Sequence, residues 1–97
     1  MATTIHVIAR VRAKSGKETE LKAVLTALVA PSRRELDCYQ YDLLQSMGDP
    51  RDFCFVERWD GAAALDRHAE SAHIVRASAQ MADLVEAPPE IVRYHLV

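Results

Sequence analysis

Residues 38–59, CYQYDLLQSMGDPRDFCFVERW, contain two strand-like stretches separated by a short turn. Residues 53–59 are rich in aromatic and β-branched side chains, which strands favour, and residues 38–46 form the matching first stretch. The intervening residues 47–51, MGDPR, carry Gly, Asp and Pro, which are typical of turns. We therefore expect a hairpin of two antiparallel strands in the middle of the chain.

The sequence before this hairpin predicts one strand and one helix. Residues 4–13, TIHVIARVRA, alternate along the chain, as a strand does. Residues 16–30 repeat leucine and valine at helical spacing, which indicates an amphipathic helix. Ser15 and Glu18 have the spacing of a capping box at its start. Pro31 predicts a kink or break at its end, because proline fits poorly inside a helix.

The sequence after the hairpin predicts two short helices and a last strand. Asp60 is expected to cap a helix over residues 61–69, and Ser71 is expected to cap another over residues 72–85. Residues 90–97, EIVRYHLV, follow a pair of prolines and have strand character.

The element order is therefore β-α-β-β-α-β over a single domain, residues 1–97. This order predicts an α+β, ferredoxin-like fold with a four-stranded antiparallel sheet and both helical segments on one face. The first and last strands carry apolar residues on both sides, among them Ile8 and Val92. A sheet face in water should be polar. We therefore expect a homodimer in which a second subunit covers the sheet face.

Composition narrows the classes of partner. The formal net charge is −2 and no basic block occurs, so nucleic acid is not an expected partner. No apolar run reaches the ~20 residues of a membrane span, so no membrane partner is expected. Residues 1–12, MATTIHVIARVR, lack the pattern of a signal peptide. These features favour a cytoplasmic protein.

The two cysteines, Cys38 and Cys54, are not expected to form a disulfide. In the predicted hairpin Cys54 lies opposite roughly Gln45, which places Cys38 about 23 Å further along the strand. A disulfide requires Cα atoms within about 7 Å of each other. Both cysteines are therefore expected to be free thiols.

Three segments together resemble the antibiotic biosynthesis monooxygenase (ABM) family, in particular its quinol monooxygenase group. Residues 53–74, FCFVERWDGAAALDRHAESAHI, contain an apolar strand ending in Glu57-x-Trp59, a short helix, and two histidines separated by four residues. Residues 6–25 resemble the family's first strand and helix, and residues 31–45 resemble its helix end and second strand. The resemblance spans nearly the whole chain.

The resemblance implies a dimeric α+β barrel with a small pocket between sheet and helices in each subunit. It also implies a small cofactor-independent monooxygenase acting on a phenolic or quinol-type substrate, with a histidine removing the proton and direct reaction with O₂. The family also contains haem-degrading enzymes and an isomerase of a phosphorylated signal, autoinducer-2. Two alternatives stay open: such an isomerase, with a phosphate site provided by Arg67, Arg76 or Arg93, and a non-catalytic ligand-binding barrel.

The two histidines of residues 66–75, DRHAESAHIV, are the candidate catalytic residues. On an unbroken helix, five residues separate their side chains by about 140°, so they would not converge. Ser71 predicts a helix break between them, which would let both reach one cavity. We expect His68 to be the base or proton shuttle and His73 to assist it, because the histidine pKa lies near neutrality.

Four further residues are candidates for substrate binding. Trp59 is expected to form a pocket wall that stacks on a flat aromatic substrate. Glu57 is expected to pair with an arginine across the sheet, and Tyr41 can orient a substrate oxygen. His6, a polar residue in the apolar half of the first strand, is expected to face the pocket because a buried histidine needs a partner.

No metal site or cofactor is expected from the sequence. A metal site would need a third ligand at a defined spacing from His68 and His73. The remaining histidines, His6 and His95, lie on distant strands. No flavin or haem motif occurs, which is consistent with a substrate that supplies its own electrons to O₂.

Overall fold

The computed structural model describes residues 3–97, which form four strands and four helices. The strands are β1 (Thr4–Arg12), β2 (Cys38–Gln45), β3 (Asp52–Asp60) and β4 (Glu90–Tyr94), and the helices are α1 (Glu18–Thr26), α2 (Val29–Arg33), α3 (Ala62–Ala69) and α4 (Ala72–Met81).

The four strands form one antiparallel sheet in the order β2-β3-β1-β4. In the sheet, Ala9 of β1 lies between Phe55 of β3 and Ile91 of β4, and Tyr41 of β2 lies opposite Glu57 of β3. The predicted hairpin and the α+β, ferredoxin-like fold are confirmed.

The helices cover one face of this sheet. Alternate β1 residues, Val7, Ala9 and Val11, are buried against leucines of the helices, among them Leu21 and Leu25. Side chains alternate between the two faces of a strand, so the residues between them point to the other face, which no helix of residues 3–97 covers. The core and the candidate site therefore lie on the helix-covered face.

The predicted start of the first helix is wrong. Helix α1 begins at Glu18 with Lys17 as its N-cap, and no side chain caps it. Residues 14–17 instead form a turn closed by a backbone hydrogen bond from Lys17 N to Lys14 O (3.0 Å). Gly16 has φ +81° in this turn, a conformation that glycine adopts at low cost. This turn removes Ser15 from the capping position.

The predicted break at Pro31 is displaced. The helical segment ends at Thr26, and α2 begins at Val29, so the break precedes the proline. Pro31 lies in the first turn of α2. The backbone N–H groups of a first turn have no partner within the helix, so the missing N–H of Pro31 costs little there.

The cap of α3 also differs from the prediction, whereas the cap of α4 is confirmed. Gly61, with φ 88°, is the N-cap of α3, and Asp60 remains the last residue of β3. Ser71 caps α4, as predicted, by accepting a hydrogen bond from Ile74 N (3.4 Å). The break between α3 and α4 therefore lies where the sequence indicated.

The last two elements are shorter than predicted. Helix α4 ends at Met81 rather than at residue 85, because the chain turns there and Val85 forms a bridge with Ala13 beyond the end of β1. Strand β4 ends at Tyr94 rather than at residue 97.

Both cysteines are free, as predicted, although Cys54 lies opposite Leu44 rather than Gln45. Among the helices of residues 3–97, none has the length and apolar character needed to cross a membrane.

Candidate active site

A cavity of about 220 Å³ lies between the sheet and helices α3 and α4. Its walls are mostly apolar, and its buried polar side chains are His68 of α3, Glu57 of β3 and Tyr41 of β2. Because a cavity of about 150 Å³ can hold benzene, this one can hold a single substituted ring. The cavity thus combines a small apolar space with three groups able to form hydrogen bonds.

His68 is the histidine at this cavity. Its Nδ1 lies 2.6 Å from Glu35 Oε2, so the ring nitrogen that remains for a bound molecule is Nε2. Burial lowers the pKa of His68, although the hydrogen bond and charge of Glu35 act in the opposite direction. A neutral imidazole with one nitrogen held by a carboxylate is suited to accept a proton on the other.

Glu35 binds both histidines of the candidate pair. It lies in the turn between α2 and β2, and the same oxygen, Oε2, is 2.6 Å from His68 Nδ1 and 2.8 Å from His73 Nε2. The turn is tied to α3 by an ion pair between Asp37 and Arg67 (3.1 Å), and Asp37 has the left-handed φ of 65°. Sequence analysis missed Glu35.

No local pattern in the sequence points to Glu35. The turn between α2 and β2 is joined to the end of β3 by the hydrogen bond from Asp60 N to Asp37 O (2.9 Å). The α3–α4 segment begins just after β3. Glu35, three residues before β2, therefore comes close to the histidine segment only through the tertiary fold.

The break between α3 and α4 brings the two histidines together in a different way from the one predicted. Their ring centroids are 6.1 Å apart. His68 lines the cavity, whereas His73 is not among the lining residues and contacts Glu35 from the outer side. Ser71, in the break, donates to His68 O (2.7 Å) and lies 3.2 Å from His73 Nε2.

Glu35, His68 and His73 also form a set of three metal-ligand groups whose atoms all lie within 4.8 Å of one another. From the sequence, no third ligand was expected near the two histidines, and this expectation is wrong. Two of the separations, 2.6 and 2.8 Å, are hydrogen-bond lengths, whereas tetrahedral ligands ~2.1 Å from one metal ion lie ~3.4 Å apart. This spacing suits shared protons better than a shared metal ion.

Glu57 is paired with Trp59, not with an arginine as the sequence analysis expected. Trp59 Nε1 donates to Glu57 Oε1 at 2.8 Å, and only 4% of Glu57 is exposed. Burial raises the pKa of Glu57 to about 7, with the indole N–H opposing this and the charge of Glu35 adding to it. Near neutral pH this carboxyl group is therefore divided between its protonated and ionised forms.

The aromatic candidates surround the His68 ring. Trp59 is completely buried, and its ring centroid lies 4.5 Å from that of His68. It is not among the residues that line the cavity, so it supports His68 from behind. Tyr41 lines the cavity, with its ring centroid 5.3 Å from that of His68. Burial raises the pKa of Tyr41, so its hydroxyl keeps its proton.

His6 lies away from this group. In β1 it alternates with Val7 and points to the uncovered face of the sheet, between the positions of Arg58 and Tyr94. It does not line the cavity that His68 lines. Of the six sequence candidates, His68, Glu57 and Tyr41 line the cavity, Trp59 and His73 contact this group from outside, and His6 is separate.

Comparisons of sequence and fold with known proteins identify one family. The family model described as antibiotic biosynthesis monooxygenase matches residues 4–80. The "Putative monooxygenase Rv0793" of Mycobacterium tuberculosis is 34% identical over 88 residues, which cover 91% of this chain and 86% of that protein. The "Putative monooxygenase YcnE" of Bacillus subtilis is also 34% identical over 88 residues, covering 91% and 93%.

Solved structures agree. The crystal structure of PA3566 from Pseudomonas aeruginosa superposes with a TM-score of 0.94 at 37% identity, covering 100% of this chain and 97% of that one. A structure from Nitrosomonas europaea whose name is "Putative antibiotic biosynthesis monooxygenase" gives a TM-score of 0.92 at 25% identity, covering 100% and 93%. The sequence match over most of the chain and the shared fold together establish that this chain belongs to the antibiotic biosynthesis monooxygenase family.

Proposed function

We propose that this protein is a cofactor-independent monooxygenase of a small phenol or quinol. Membership of the family and the names of the relatives support a monooxygenase-type activity. The observation that carries the finer proposal is His68, a buried imidazole whose Nδ1 is bound to Glu35 while the ring lines a small apolar cavity.

The first step is removal of the substrate's hydroxyl proton by His68 Nε2. A phenol has a pKa of about 10 in water, so the phenolate must be formed and stabilised by the site. The imidazolium that results is paired with the Glu35 carboxylate at Nδ1. General-base assistance of this kind is worth ~10²–10⁴-fold in rate.

The second step is oxidation of the phenolate by O₂. The electron-rich ring transfers electrons to O₂, one oxygen atom forms a bond to a ring carbon, and the hydrogen on that carbon is lost. The other oxygen atom leaves as water, so a phenol and O₂ give a quinone and water. The substrate supplies the electrons, and the apolar walls of the cavity keep water from the reacting pair.

Glu57 and Tyr41 are proposed to orient the substrate. Both line the cavity from neighbouring positions in β3 and β2. The Tyr41 hydroxyl keeps its proton and can donate to a substrate oxygen. Glu57 Oε1 is occupied by Trp59, which leaves its second oxygen for a substrate hydroxyl. Polar contacts at one side of an apolar pocket fix the orientation of a ring within it.

The two alternatives have less support. A phosphorylated substrate would need cationic side chains, and of the three arginines considered only Arg93 lines the cavity, where it pairs with Asp66 (3.4 Å). Arg67 is paired with Asp37 on the outside. A non-catalytic ligand-binding barrel in which His68 only packs against backbone has less support, because His68 Nδ1 lies 2.6 Å from the Glu35 carboxylate and the ring lines the cavity.

We also propose that the protein is a homodimer through the uncovered sheet face. On that face, Tyr94 and Leu44 are half exposed and Ile8 lies opposite Val92. Covering these apolar side chains with a second copy would remove them from water, which is favourable. Light scattering at micromolar concentration is expected to give twice the chain's mass, and a stable monomer would contradict the proposal.

Oxygen uptake tests the proposed function. Purified protein should consume O₂ when mixed with at least one member of a panel of phenols and hydroquinones, and the His68→Gln variant should lose most of this activity. His95→Ala is the matched control, because His95 is exposed and is not among the residues that line the cavity. If no panel member is oxidised, or if both variants retain full activity, the proposal fails.

A further inference from the structure

We propose that Ser71, His73 and Glu35 together fix which ring nitrogen of His68 carries the proton. In each hydrogen bond of this group, the choice of donor and acceptor follows from the bond before it, in the order Ser71, His73, Glu35 and His68. In this arrangement Glu35 and His73 are positioning residues, because they act on the substrate only through His68.

The donor and acceptor roles are fixed first at Ser71. Its hydroxyl lies 2.7 Å from His68 O, and a carbonyl oxygen can only accept, so the single hydroxyl hydrogen is used there. The Ser71 oxygen also accepts from Ile74 N as the cap of α4. Towards His73, 3.2 Å away, Ser71 can therefore act only as an acceptor.

The roles at Ser71 then determine which nitrogen of His73 carries the hydrogen. Its Nε2 faces two oxygens, Ser71 Oγ at 3.2 Å and Glu35 Oε2 at 2.8 Å. Ser71 has no hydrogen left to give, and an ionised carboxylate has none. His73 Nε2 must therefore carry the hydrogen, which it donates to Glu35 and shares with Ser71.

Glu35 completes the chain of bonds. Its Oε2 accepts from His73 and lies 2.6 Å from His68 Nδ1, so the Nδ1 hydrogen of His68 points at the carboxylate. A neutral imidazole carries one hydrogen, which leaves His68 Nε2 as an acceptor at the cavity. The two histidines consequently carry their hydrogens on opposite ring nitrogens, Nδ1 in His68 and Nε2 in His73.

This assignment deepens the proposed function, because a base with the hydrogen on its cavity-facing nitrogen cannot accept a proton there. Its effect on turnover rests on that proposed function, whereas the positions of the hydrogens do not. A leucine at position 35 would offer His68 Nδ1 no acceptor, whereas a glutamine would keep its amide oxygen there, because the N–H of His73 faces the same atom. In a catalytic histidine, the wrong tautomer lowers turnover by as much as ~10⁴-fold.

The decisive measurement is ¹⁵N NMR of the histidine side chains in the ligand-free full chain, at about pH 8, above the ordinary histidine pKa of about 6.5. The wild-type protein should show an Nδ1–H signal for His68 and an Nε2–H signal for His73. Glu35→Leu should shift His68 towards a mixture with the Nε2–H form, whereas Glu35→Gln should retain Nδ1–H. The inference is overturned if both wild-type histidines have the same tautomer, or if His68 is unchanged in Glu35→Leu.

A matched pair of variants tests His73 itself. His73→Gln keeps an N–H donor for Glu35, whereas His73→Leu removes it. In the Glu35→Gln background, we expect the His68 tautomer to be retained with His73→Gln and to become mixed with His73→Leu, because the amide at position 35 can then turn; equal behaviour of the two double variants would exclude His73 from the network.

Turnover provides the second readout once a substrate is found. Glu35→Leu should lower kcat by ~10²-fold or more with little change in KM, and Glu35→Gln, which keeps the acceptor but cannot pair with the imidazolium, should lower it less. A correct NMR result with no O₂ uptake by the wild-type protein would count against the proposed function alone. Normal kcat in Glu35→Leu with a shifted tautomer would overturn the catalytic part of this inference.

Discussion

Glu35 and Glu57 place the same chemical group in opposite surroundings at one candidate site, where Glu35 bonds His68 and Glu57 lines the same cavity as His68. Glu35, in a turn, lies within hydrogen-bond distance of two imidazoles. Glu57, in the middle of a strand, is bonded by one neutral indole N–H and is almost fully buried. A carboxylate beside two groups that can become cations is suited to stabilise positive charge, whereas burial with one neutral donor favours the protonated acid. The surroundings, not the residue type, thus determine the role of each glutamate.

The largest expected effect concerns the histidine that Glu35 holds. His68→Ala should lower turnover of an identified substrate by ~10²–10⁴-fold, because it removes the proton acceptor at the cavity. His73→Ala should cost less, because His73 does not line the cavity and its hydrogen bonds are to Glu35 and Ser71. Steady-state kinetics on both variants make the measurement, with melting temperature as the control. If His68→Ala lowers stability but leaves turnover intact, His68 is a packing residue.

The next effect separates the two glutamates by pH. The pKa of Glu57 is raised from 4.5 to about 7 in the folded protein, so between these pH values the folded state binds a proton that the unfolded state has lost. Stability must therefore fall as pH rises through this window, by about 3 kcal/mol in total. Glu57→Gln, which cannot ionise and still accepts from Trp59, should remove this decline.

Urea unfolding of the wild type and Glu57→Gln at several pH values measures that difference. Subtracting the two curves cancels the opposite contribution of His68, whose lowered pKa makes the protein lose stability as pH falls below about 6.5. Parallel curves for the two proteins would show that Glu57 ionises as readily as a solvent-exposed carboxyl group.

A smaller effect should follow from removing the single donor to Glu57. Trp59→Phe keeps an aromatic ring but deletes the N–H that bonds Glu57 Oε1. Loss of a partner for a buried polar group costs about 1–3 kcal/mol. The loss should be greater above pH 7, where the carboxyl group is ionised, than at pH 5. In the Glu57→Gln background the same substitution should lose this pH dependence.

The smallest expected effect is that of a chelator. Dialysis of active protein against EDTA should leave its turnover unchanged, because the spacing within Glu35, His68 and His73 fits hydrogen bonds and the substrate is proposed to reduce O₂ itself. If activity were lost and an added divalent metal restored it, these three residues would bind a metal ion instead of forming hydrogen bonds with one another.

The fold could be predicted because its signals are local. The hairpin around residues 47–51 and the Ser71 cap each depend on neighbouring residues, and both are confirmed. The cap at Ser15 failed because the turn that contains Gly16, with positive φ, places the N-cap at Lys17, and the cap at Asp60 failed because Gly61, also with positive φ, is itself the N-cap. A capping motif in sequence does not show which of two adjacent candidates the backbone will use.

Only some residues of the candidate site could be predicted from the sequence. His68 was found because it lies near a readable helix break. Glu35 was not, because its bonds join residues 33 and 38 positions apart, and only the tertiary fold brings them together. The predicted arginine partner of Glu57 failed for a related reason. The indole of Trp59, two residues along the same strand face, supplies a donor inside the core where a guanidinium would have to be desolvated.

Trp59 also makes the site observable by fluorescence. It is the only tryptophan in the sequence, it is completely buried, and its ring lies 4.5 Å from the ring of His68. All indole emission therefore originates beside the candidate base, and a change in the charge or contacts of His68 should alter its intensity. Ligand libraries can consequently be screened for cavity binding by tryptophan fluorescence before any reaction is known. The Trp59→Phe variant, which has no tryptophan, is the control.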